Sequence, residues 1–201
     1  MKTQKNLRLL EIFTLGTNAA FLLPVILPYY RDSMGLNFHD FLIGEAAFAA
    51  VVVALEVPTG WLSDIWRRKM VLAAGAFVNV FGYICLWMGD SLAWAVAAQA
   101  ILGVGISLIS GTNTAMLYDT LLSGSKTEDF RKQEGKRAGI GFYSVAGAGI
   151  LGGFLYPIDQ HLPLCCSMLA LTVAGIAALA MDEPPRHKKQ SEKPPLADMA
   201  A

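Results

Sequence analysis

Six apolar stretches separated by short polar breaks dominate the chain. They run Leu9–Tyr30, Phe41–Leu62, Met70–Met88, Leu92–Leu117, Gly139–Pro157 and Leu162–Met181. Each is close to the roughly 20 residues that a helix needs to cross the hydrocarbon core of a bilayer. The breaks read RDSMGLNFHD, SDIWRRK, GDS, DTLLSGSKTEDFRKQEGKR and IDQH. Helices are the predicted spanning form, because isolated strands would leave backbone groups unpaired in lipid and the blocks are about twice the length of a barrel strand. The pattern therefore predicts an all-α membrane protein, with residues 1–181 forming a six-helix transmembrane bundle. Residues 182–201, beginning DEPPRHKKQ, are polar and proline-rich, and are predicted to be a cytoplasmic linker or tail without fixed structure. The basic start MKTQKNLRLL precedes an apolar block without a clear small-residue cleavage site, so it reads as a retained first helix.

Composition agrees: 54% of residues are hydrophobic and only 16% charged, and the charges are bunched between the apolar blocks. Formal net charge is zero, which suggests no nucleic-acid partner, so the position of each cation carries the information. With the N-terminus inside, the inner segments hold every one of the 16 Lys and Arg residues except Arg31. Such a bias satisfies the positive-inside rule and supports the helix count, since one missed or extra helix would reverse every later loop. Both termini are thus predicted to be cytoplasmic. Cys85, Cys165 and Cys166 fall within apolar blocks and have neither disulfide nor metal spacing. His39 and His161 fall in outer breaks and His187 in the tail, no nucleophile elbow or phosphate loop is present, and neither an enzyme nor a cofactor is predicted.

The stretch EVPTGWLSDIWRRK, Glu56 to Lys69, resembles the signature loop between the second and third helices of the major facilitator superfamily, G-x-L-A-D-x-x-G-R-K/R. Gly60, Leu62, Asp64, Arg68 and Lys69 match it, and Ser63 stands for alanine. Arg67 replaces the second glycine, which puts the geometry of the turn in question, because arginine resists the positive φ that glycine tolerates. SGTNTAMLYDTL, Ser110 to Leu121, is similar to the end of the fourth helix in bacterial members, and MDEPPR to their segment after the sixth. The resemblance implies one N-terminal six-helix half of a fold whose two halves bind a solute between them near the midplane. It further implies a secondary active transporter of a small solute, working by alternating access, with a coupling proton or cation and a second six-helix half or homodimer as partner. The alternative is a truncated or split module that does not transport and associates with another membrane protein. Compact loops and the kind of resemblance point to a bacterial inner membrane.

In that frame Gly60, Leu62, Asp64, Arg68 and Lys69 form a gating loop. Asp64 can cap a neighbouring helix N-terminus and pair with Arg68, with some partners expected from another chain. The competing reading is that Arg67, Arg68 and Lys69 are merely topology determinants near lipid headgroups. Charges inside helices are costly and often functional, which singles out Glu45 and Glu56. Glu56, two residues before Pro58, is expected to be buried, either as a proton-carrying group or as a packing hydrogen-bond partner. Asp119 and Glu11 lie near inner helix ends and read as interface residues. Asn18, Asn113 and Thr114 line a pathway or bond neighbouring helices. The small residues Gly103, Gly105, Ser107, Ser110 and Gly111 and the glycines from Gly139 to Gly153 place the fourth and fifth blocks within the bundle. Two patterns of proton-coupled drug antiporters are missing: an arginine where Val96 stands, and a proline near Gly149.

Overall fold

The computed structural model describes residues 2–185. Among these, seven α-helices carry the fold: α1 (Lys2–Thr17), α2 (Ile26–Met34), α3 (Phe38–Ile65), α4 (Arg68–Met88), α5 (Leu92–Ser123), α6 (Phe130–Leu155) and α7 (Leu162–Ala180). Five of them, α3 to α7 with the turn before α6, are long and apolar enough to cross a membrane. The first apolar block departs from the reading as one helix. It breaks after Thr17 into an irregular stretch and a short 3-10 turn at Leu23–Val25, then resumes as α2. Pro24 explains part of the interruption, since it has no N–H to donate and clashes with the preceding turn. Thr17 and Asn18 contribute the rest: their side chains donate to the carbonyls of Phe13 (2.9 Å) and Thr14 (2.8 Å), competing with continued helix.

Local signals set the other ends. Gly35, at φ 67°, stops α2 in the left-handed conformation. Asn37 and Asp40 then open α3 with reciprocal 3.1 Å bonds between side chain and backbone N–H. Pro58 leaves α3 continuous, and Thr59 Oγ1 donates to the Leu55 carbonyl (2.7 Å) beside it. Helices overrun the apolar blocks where water can receive them. The long break before the fifth block is largely helical: α5 continues to Ser123, and α6 begins well before Gly139, with Phe130 packed on Tyr118 at 5.8 Å.

α5 occupies the middle, packed on α3 and α4, while α7 joins α4 to α1. One apolar cluster, including Phe13, Leu72, Met116 and Ala178, fills the end of the bundle that holds Lys5, Arg68 and Lys69, hereafter the basic end. A second, with Tyr29, Tyr30, Leu86 and Leu164, fills the opposite end. Gly75 and Gly105 let α4 and α5 approach until backbone meets backbone. Gly152 does the same for α6, lying against the Phe21 carbonyl in the broken segment. Yet α6, predicted to sit within the bundle, lies at its edge, and α3 is the least buried span of all. Gly139, Gly147, Gly149 and Gly153 face open space.

Candidate functional site

The loop from α3 to α4 is only Trp66 and Arg67, both extended, with Arg67 at φ −63° and ψ 120°. No positive φ is needed there, so the glycine-to-arginine departure costs the turn nothing. The tight turn brings the start of α4 under the end of α5. Arg68 is the centre of the result. Its guanidinium meets the Asp119 carboxylate at 2.5 Å and donates to the Ala115 carbonyl at 2.6 Å. Asp64, one turn back on α3, stands 3.9 Å away.

Burial ranks these contacts. The Arg68 and Asp119 side chains are 13% and 12% exposed, whereas Asp64 is 73% exposed. Surface pairs contribute about 0–1 kcal/mol, but removing one member of a buried pair costs about 3–5 kcal/mol, because it strands the other charge. Asp119, read as an interface residue, is thus the main partner of Arg68, and that partner lies in the same chain, not a second one. Its position one turn below Ala115 on α5 lets a single guanidinium take both acceptors.

Glu183 caps the N-terminus of α4. Its carboxylate accepts from the backbone N–H groups of Arg68 (2.8 Å) and Lys69 (3.3 Å), at the positive end of the α4 dipole. Lys69 Nζ donates to the Met181 carbonyl at 3.2 Å. Buried Asn6 on α1 completes the attachment, donating to the Asp182 carbonyl (2.7 Å) and accepting from its N–H (2.9 Å). Residues 182 and 183 are therefore fastened beneath the bundle, although the pattern of polarity assigned them to a loose tail. The remainder of that predicted tail, from 186 on, lies outside the described residues.

Other candidates are dispersed. Gly60 and Leu62 precede the latch on α3, Gly60 with open space where a Cβ would stand. Glu56, expected to be buried, is exposed on α3 between Val53 (73% exposed) and Val57 (63%). Spacing puts Glu56 on the same side of α3 as Thr59 and Ser63, three and seven residues on, but at the level of Glu56 that side is left uncovered. Asn113 accepts from Arg137 through both its carbonyl and side-chain oxygens, each at 3.0 Å. Asn18 packs against Gly141. Glu11 pairs with Lys136 at 2.6 Å. Glu45 meets Gln99 in the opposite half of the bundle. Glu183, Arg137 and Gln99 escaped sequence reasoning. The available signals were an acid placed directly after the last span, a basic residue among glycines, and an amide inside an apolar block.

The Major Facilitator Superfamily profile matches residues 9–197. The chain belongs to that superfamily, a class of transporters and not of enzymes, and is an integral membrane protein. It is 33% identical over 104 residues to facilitated glucose transporter member 10 of Homo sapiens, covering 51% of this chain and 19% of that one. An uncharacterized transporter of Buchnera aphidicola is 32% identical over 117 residues, 57% of this chain and 27% of the relative. Quinolone resistance protein NorA of Staphylococcus aureus is 22% identical over 181 residues, 90% of this chain and 45% of NorA. The chain spans less than half the length of each of these relatives.

Proposed function

We propose that the chain forms an N-terminal six-helix half of a secondary active transporter for a small solute, with the broken α1–α2 segment as its first span. The basic end faces the cytoplasm, in a bacterial inner membrane, and α1, α5 and α6 supply half of the pathway. The Arg68–Asp119 pair carries this reading. A buried ion pair beside a two-residue turn, capped by Glu183, locks the inner ends of α4, α5 and α7 into one body. Alternating access requires such a rigid body, because the halves rock as units about the solute. The α3 and α6 surfaces support a second six-helix partner: Val57 and Trp61 are exposed on α3, and Phe142, Tyr143 and Phe154 on α6, where several glycines also face open space. Glu56 then meets a donor or water at the interface and not lipid, where a carboxylate is costly. The relatives act on different solutes by name, so the solute class stays at small molecule.

The test is co-expression with a second six-helix half, followed by particle mass in nanodiscs and solute flux in proteoliposomes. A complex of one half with the other and flux that needs both support the proposal. A persistent monomer without flux favours the split, non-transporting module.

A further inference from the structure

Away from the latch, the opposite half of the bundle holds a carboxylate within its walls. Glu45 lies about two turns into α3, roughly 10 Å along its axis. Gln99 of α5, 4% exposed, reaches it with 2.5 Å between amide nitrogen and carboxylate oxygen. Tyr30 of α2 and Tyr83 of α4 stand within electrostatic range of the same carboxylate. Tyr30 is 1% exposed, and its hydroxyl faces the Gln99 side chain. Gly44 makes the room: a Cβ there would stand 3.2 Å from Gln99 Cγ and 3.5 Å from the Tyr30 hydroxyl, so the two side chains lie together against α3. None of the ion pairs among the described residues involves Glu45.

We infer that Glu45, Gln99 and Tyr30 form a proton-binding site in the outer half of the membrane. The groups that converge are acidic or neutral, so the ligand is a cation. The Glu45–Gln99 separation leaves no gap for a metal ion, and no cluster of three metal-ligating side chains occurs among the described residues. Uptake of one proton from outer water converts the carboxylate to a neutral acid.

Gln99 can serve both forms, because an amide has a donor end and an acceptor end. With Glu45 ionised, the amide nitrogen donates to it, and the amide oxygen is left to accept from the Tyr30 hydroxyl. With Glu45 protonated the amide turns over: the acid donates to the amide oxygen, and the amide nitrogen donates to Tyr30. Tyr30 and Tyr83 are the titratable groups facing the site.

The site names the coupling ion of the proposed transporter and rests on that reading for this role alone; its protonation is measured without transport. Difference infrared spectroscopy of the chain in nanodiscs, across a pH titration, reads the carboxylic-acid carbonyl band directly. One deuterium-sensitive band should grow as pH falls, vanish in Glu45→Gln, shift in Tyr30→Phe and persist in the loop control Glu128→Gln. Should Glu45→Gln fail to fold, Tyr30→Phe keeps the carboxyl and must still move the band. A band unmoved by both variants, absent at every pH, or displaced by sodium at constant pH overturns the site. An intact band with no flux in the reconstituted pair counts against the transporter and leaves the site standing.

Discussion

Asp119→Asn separates the buried latch from the exposed charges around it. In the parent chain Arg68 and Asp119 are in direct contact, and both side chains are nearly sequestered. Gross Coulomb attraction at this range is about 5 kcal/mol for an effective dielectric constant of about 20, and desolvation offsets much of it. The variant nevertheless keeps the buried guanidinium while removing its countercharge. That places the loss toward the low end of the range for a broken buried pair, about 3 kcal/mol, because the Ala115 carbonyl still accepts one N–H. Thermal unfolding in detergent or nanodiscs should register a fall of roughly 6–12 °C, taking about 2–4 °C per kcal/mol for a chain of this size. Asp64→Asn is the control: its carboxylate is 73% exposed and 3.9 Å from Arg68, so its loss should stay within about 1 kcal/mol. Replacing both members, Arg68→Met with Asp119→Leu, should recover much of the stability lost by Asp119→Asn, since no uncompensated charge remains. Equal effects of Asp119→Asn and Asp64→Asn, or a double variant as damaged as the sum of its singles, would refute the reasoning.

Glu183→Ala should cost about 0.5–2 kcal/mol, the usual value of a helix N-cap, and speed hydrogen exchange at the Arg68 and Lys69 amides before other α4 amides respond. Gly152→Ala drives a methyl into the Phe21 carbonyl and should destabilise by about 1–3 kcal/mol, whereas Gly147→Ala, with open space at its Cβ, should be neutral or slightly stabilising by thermal melt. At the opposite end, hydrogen bonds from Arg31 and then Tyr156 hold the Asp32 carboxyl below its usual range. A depressed folded-state value means that the contribution is present above the unfolded value of 3.8 and is lost as pH falls through the folded one. Asp32→Asn should therefore lower stability slightly at neutral pH, flatten the acid limb, and converge with the parent once pH has fallen below the folded value, which melts at stepped pH would show.

The spans were legible because lipid imposes a length and polarity on them that no soluble contact can override. The break at Asn18 was not, since it falls among apolar residues, and Pro24 is its one strong mark. In the latch, Asp64 and Arg68 could be picked out because they lie in one short motif. Asp119 sits 51 positions from Arg68 by number, and only the packing of α4 on α5 turns that separation into contact. Glu183 was hidden by its surroundings, because prolines and charges describe a solvated tail equally well whether or not one carboxylate reaches a helix end. The exposure of Glu56 was misjudged for a related reason. A carboxylate inside an apolar block implies shelter from lipid, and that shelter can come from a partner as readily as from the chain's own helices.

The central claim is that this bundle works against a second six-helix body along α3 and α6, and photo-crosslinking in native membranes tests it most directly. A photoreactive residue at Val57 or Phe154, both exposed on these surfaces, reports what covers them. The account predicts an adduct with a six-helix membrane segment identified by mass spectrometry, from both positions. Adducts with lipid alone at both positions would contradict it.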